Sequence, residues 1–211
     1  MNLISMDKTK TPYQALLLGG VCALVSLALL GGHELTHEAI SENAQADRIN
    51  TLNQVLPAER YNNNPLNETL SYESDGVIGE AAIMLARHDG DISATTVQLT
   101  VPGWGGPLNL MVSTTPEGEI LGVRVISHTE TPGLGDKIET DKSDWITSFD
   151  GHSLKNTSAV EWAVKKDGGN FDQFTGATIT PRSVVKGVHR ALEIQARWQT
   201  DQASNDAGET P

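Results

Sequence analysis

Residues 11–32 carry no charged side chain, and the run 15–30 (ALLLGGVCALVSLALL) is interrupted only by two glycines and one serine. About 20 helical residues at 1.5 Å each cover roughly the 30 Å hydrocarbon core of a bilayer. The run therefore predicts a single transmembrane helix over 13–32. A cleaved secretory leader is the competing reading, since it too joins a basic start to an apolar segment. The run is long for a leader, and no A-x-A cleavage site follows it, which favours a retained anchor.

Charge sets the orientation. Before the run, Lys8 and Lys10 face only Asp7; after it, Glu34, Glu38, Glu42 and Asp47 precede the first basic residue, Arg48. The positive-inside bias keeps residues 1–12 in the cytoplasm and sends the remainder across; in a Gram-negative cell, that remainder faces the periplasm from the inner membrane. Of the net charge of −12, the exported part carries −13. An acidic domain of this kind lacks the clustered Lys and Arg that nucleic-acid binding requires. The only cysteine, Cys22, lies inside the apolar run, which excludes internal disulfides and Cys-rich zinc or iron–sulfur sites.

Residues 33–60 read as a helical stalk. Leu35, Ile40, Ile49, Leu52, Val55 and Leu56 recur at three- and four-residue spacings, and Pro57 ends the helix. A folded domain is expected over 61–199, where the period changes to two. Strands are predicted at 81–88 and 95–101 around an Asp89-Gly90 turn, then at 108–114 and 120–128, with a short one at 162–165. In the fourth, Leu121, Val123 and Val125 form the expected buried face. Thr180-Pro181 reads as N-cap and first position of a helix that ends near Trp198, with Val184, Val188, Ala191, Leu192 and Gln195 on its inner side. Residues 200–211, polar and without large apolar side chains, read as a disordered tail. The domain is thus α+β, an antiparallel sheet with packed helices.

Three motifs bear chemistry. His33-Glu34-Leu35-Thr36-His37 is a formal H-E-x-x-H, which on a helix brings two imidazoles to one zinc with Glu34 as base. It lies at the membrane boundary without a third ligand, so a membrane-anchored zinc peptidase is only the alternative reading. Ser183 and Lys186 form an S-x-x-K without the partner motifs a serine nucleophile of that type needs. The third segment runs from Asp172 through Phe174, Thr175, Gly176, Ala177 and Thr178 to Arg182. It sets small residues and hydroxyls before a helix N-terminus, which favours an anion by about 0.3–1 kcal/mol. A phosphate at Thr178 with Arg182 beside it would suit that pattern, but physics alone favours a plain strand-to-helix turn.

The D-x-x-[S/T]-G-A-T pattern of 172–178 resembles the flavinylation motif of the FMN-binding domain family. The stretch His128-Thr129-Glu130-Thr131-Pro132-Gly133-Leu134-Gly135 resembles that family's H-x-E-T-P-G-L-G loop. Gly103-Trp104-Gly105-Gly106-Pro107 resembles its G-[aromatic]-x-G-P turn, with Trp where the family often has Tyr. With one anchor, the chain is most similar to the G subunits of Rnf-type electron-transport complexes, and more distantly to the C subunits of sodium-translocating NADH:quinone reductases. The resemblance covers 16–198. It implies FMN bound covalently to Thr178 by a phosphodiester, attached from FAD by a flavin transferase that recognises Asp172, Thr175, Gly176, Ala177 and Thr178. It further implies that Glu130, Thr131 and Leu134, with Trp104, Thr175, Gly176 and Ala177, surround the cofactor.

The function so implied is an electron relay rather than a stand-alone catalyst. Its partners would be the other membrane, iron–sulfur and flavin subunits of a complex that couples electron flow between ferredoxin and NAD to ion translocation. A flavin-free assembly subunit of the same fold is the remaining alternative.

Overall fold

The computed structural model describes residues 11–208, with side chains described at 14–30 and 49–204. Two units are distinct, Met1–Arg48 and Ile49–Pro211. Helix α1 (Thr11–Val55) takes in the predicted span and the predicted stalk as far as Val55, with a separate 3-10 turn at Ala58–Arg60. In the first unit Leu16, Leu17, Leu18, Val21, Leu24, Val25, Leu27, Leu29 and Leu30 are all exposed, so the helix is apolar around its whole circumference there. Among the described residues no helix is long and apolar enough to cross a membrane. The described side chains of the run stop at 30, short of the about 20 residues a span needs.

The second unit is built on a five-stranded antiparallel meander in sequence order: β1 (Thr69–Tyr72), β2 (Ala81–His88), β3 (Asp91–Pro102), β4 (Pro107–Thr114) and β5 (Ile120–Ser127). The β2–β3 hairpin turns at Asp89 and Gly90, both at positive φ, as a two-residue type I′ connection demands. Each inner strand buries both faces. Ile83, Val97, Val112 and Val123 pair in one row across four strands and face helix α2 (Ile179–Gly208), whose Val184, Val188, Ala191, Leu192 and Gln195 are buried as predicted. On the opposite face Met84, Ala86, Ala94 and Met111 pack with Leu52, Val55 and Leu56. The compact unit therefore begins within the expected stalk, at Ile49 rather than 61.

Four expectations are corrected. The register shifts at Ser113/Thr114, where Ile120 opposes Thr114 and Gly122 opposes Ser113. This bulge turns Leu121 to the second face, and Ile120 joins Val123 in the main core. Residues 162–165 form no strand, only a bridge from Val164 to Phe171 and a 3-10 turn at Lys165–Asp167. Helix α2 begins at Ile179, which puts Thr180 and Pro181 inside its first turn. It continues to Gly208 through the segment read as a disordered tail, where Tyr72 donates to Asp201 at 3.3 Å; residues 209–211 lie outside the described ones.

Between β5 and α2 the chain forms 3-10 turns at Asp136–Ile138 and Trp145–Phe149 and buries an aromatic cluster. Phe149 stacks on Phe171 at 4.5 Å and Phe171 on Trp162 at 5.4 Å, while Trp145 meets Phe149 and Phe174 edge-on. Burial at about 1.5–3 kcal/mol per large apolar side chain holds this long connection against the sheet.

Candidate functional site

Three segments far apart in sequence enclose a cavity of about 370 Å³: the β3–β4 turn, the loop after β5 and the entry to α2. Trp104, Glu130, Thr131, Leu134, Gly176, Ala177 and Thr178, all predicted, line it together. Gly135, Ile179, Thr180 and Arg182 join them. Thr175 does not line the cavity; it lies on the exposed turn beside it. Asp172 points away as well, paired with Lys165 at 2.8 Å on the surface.

The Thr178 segment is held from beneath. Phe174 is buried in the aromatic cluster, and the Trp145 indole N–H donates to the carbonyl of Asp172 at 2.9 Å. Gly176 adopts a φ of +86°, a conformation costly for other residues, and the Ala177 N–H donates back to the Phe174 carbonyl at 3.2 Å. This tight turn delivers Thr178, half-buried, immediately before α2. Pro181 costs nothing in the first helical turn, where its missing N–H would have no intrahelical partner. Thr180 stands inside the first turn rather than at the cap, and its buried hydroxyl donates to Glu130 Oε2 at 2.5 Å.

Glu130 is 5% exposed. Its Oε1 accepts from the Trp104 and Gly105 N–H groups at 2.9 and 3.1 Å. Its own N–H donates to His128 Nδ1 at 3.1 Å, so His128 uses its Nε2–H toward Glu139 Oε1 at 2.8 Å. Lys142 then bridges Glu139 and Asp136, at 2.8 Å each. Hydrogen bonds from Lys142 hold both carboxyls below their usual range, and those carboxylates raise the Lys142 ammonium above its own.

Arg182 lines the cavity with its guanidinium already engaged, clasping Asp167 at 2.5 and 2.6 Å; the contact keeps Asp167 below the ordinary carboxylate range. The free cation expected beside Thr178 is therefore a paired one. Ser183 and Lys186 lie in a different depression, with Trp162 and His189, and no hydrogen bond joins them among the described residues. Sequence reasoning passed over Ile179 and Thr180, although their place beside Thr178 was a signal; the Trp145 anchor left none. Among the described residues no three His, Cys, Asp or Glu side chains assemble a metal site, and the side chains of His33, Glu34 and His37 lie outside the described ones.

Comparison with known proteins agrees with this geometry. The model of the FMN-binding domain family matches residues 103–193, which include all three segments of the cavity. The G subunit of the ion-translocating oxidoreductase complex of Stutzerimonas stutzeri is 52% identical, over 97% of this chain and 89% of that protein. The protein of the same name from Haemophilus influenzae strain PittEE is 44% identical over 90% and 92%. A crystal structure of Shewanella oneidensis NqrC aligns at 23% identity over 66% of this chain and 64% of that one, with a TM-score of 0.43.

Proposed function

This chain belongs to the family of G subunits of ion-translocating oxidoreductase complexes, and from that premise we propose that it is a membrane-anchored electron-relay subunit carrying FMN covalently on Thr178. The carrying observation is that Thr178 stands at the edge of a cavity that all three family motifs line, directly before the first turn of α2. Unpaired N–H groups and the helix dipole favour a phosphate there. Trp104, Leu134 and Ile179 are exposed apolar side chains around the opening, the surface a planar ring requires, and 370 Å³ lies within the range of small-molecule sites.

FMN, when bound, accepts electrons and passes them on; the protein tethers and orients it. Thr178 lies half-buried at the cavity, just after the exposed Gly176 turn, and the exposed Asp172 and Thr175 precede it in the segment that a flavin transferase would recognise. A covalent link keeps the cofactor from diffusing away in an exported compartment and holds it at high effective concentration beside a partner.

The anchor rests on the exposed apolar circumference of α1 over 16–30, a surface that belongs in lipid. With residues 1–12 cytoplasmic, the domain faces the periplasm and meets the other redox subunits of an Rnf-type complex, in which electron flow between ferredoxin and NAD drives ion translocation. The apolar run holds no ionisable group that would carry an ion, so the ion path belongs to other subunits. The test is a denaturing gel of protein made with its flavin transferase: the band fluoresces under ultraviolet light, Thr178→Val abolishes the fluorescence and Thr175→Val retains it. A dark parent band overturns the covalent assignment.

A further inference from the structure

Glu130 belongs to the motif associated with the cofactor, yet its carboxylate is directed inward. Oε1 is taken by two backbone N–H groups of the Trp104 turn, and Oε2 by the Thr180 hydroxyl in the first turn of α2. Both segments line the cavity, and Glu130 is bonded to both. The turn is pressed closely onto the loop that carries Glu130. A Cβ on Gly105 would overlap the Thr129 carbonyl, and one on Gly103 would lie 2.5 Å from Glu130 Oε1. From behind, the His128 ring fixes the backbone of Glu130, and is itself fixed by Glu139.

We infer that Glu130 is a positioning residue: it sets the separation of Trp104 from the Thr178 end of α2, and so the width of the cavity, by a three-way tie rather than by contact with the flavin. The inference rests on the reading that the cavity receives FMN at Thr178. Truncating the side chain leaves two N–H groups and a hydroxyl without their buried acceptor. An amide of the same length preserves the tie: its oxygen accepts from Trp104 and Gly105, and its NH₂ donates to Thr180. Geometry and charge are therefore separable at this position.

The experiment compares Glu130→Ala, Glu130→Gln and Thr180→Val in the full chain. Gel fluorescence reports flavin loading, and visible circular dichroism reports how rigidly the bound flavin is held. In flavin-free protein, ¹⁹F NMR of 5-fluorotryptophan reports on Trp104, assigned by its absence in Trp104→Phe. Glu130→Gln is expected to keep the parent's dichroic band and Trp104 resonance. Glu130→Ala is expected to load flavin but lose the band, with the Trp104 resonance displaced from its parental position. Thr180→Val, which leaves the Trp104 arm intact, is expected to weaken the band, and it carries the test if Glu130→Ala does not fold. The inference is overturned if Glu130→Gln behaves as Glu130→Ala, or if both truncations leave band and resonance at parental values. A dark parent gel sinks the covalent-flavin reading alone, because the fluorine signal of Trp104 still decides whether the tie exists.

Discussion

Lys142 shows how a single residue supports the site from a distance. Its ammonium binds buried Asp136 and half-buried Glu139, and Glu139 holds His128 against the back of Glu130. Hydrogen bonds from Lys142 depress both carboxyl pKa values below the ordinary 3.8 and 4.5. Their contribution to stability is thus complete above those values and is lost as pH falls through the depressed ones. Lys142 is shifted the other way, above 10.5, so its contribution is complete below that value and is lost as pH rises through the raised one. Denaturant titrations across pH should show stability declining on the acid side of this window. Lys142→Met should be less stable at neutral pH and show a shallower acid decline, because its carboxyls return toward ordinary values.

The elements of greatest consequence are the irregular ones between β5 and α2. Phe171 stacks between Phe149 and Trp162, and Trp145 supports the segment that ends at Thr178. Phe171→Ala is expected to cost about 3–5 kcal/mol in denaturant unfolding, the usual effect of emptying an aromatic core position. Trp145→Phe, which keeps the ring contact and removes one hydrogen bond, is expected to cost about 0.5–1.5 kcal/mol. The regular strands were legible from their period and from Asp89-Gly90, because alternation and turn chemistry are local. Leu121 was misassigned because a bulge is decided by the partner strand. Thr69–Tyr72 escaped notice because four residues, three of them exposed, carry too little pattern, yet pairing with β2 makes them a strand.

For the whole molecule, the division between the first unit and the folded unit falls at Ile49. A chain starting there is expected to retain the cooperative melt of the folded unit and, on the proposed reading that 13–32 anchors the full chain, to leave the membrane fraction. A chain starting at Tyr61 loses Leu52, Val55 and Leu56, each at most 1% exposed on the second face of the sheet. At about 1.5–3 kcal/mol per side chain, it should melt markedly lower by circular dichroism or fail to fold. The apolar run, the acidic balance beyond it, the four long strands and the Thr178 motif were legible in the chain alone, because each rests on composition or on spacing between near neighbours. That 49–56 completes a second core, that Arg182 is clasped by Asp167 and that Glu130 faces inward emerged only in the folded chain. Those outcomes depend on which distant groups meet when the chain closes, and a buried carboxylate goes to the donors that surround it there.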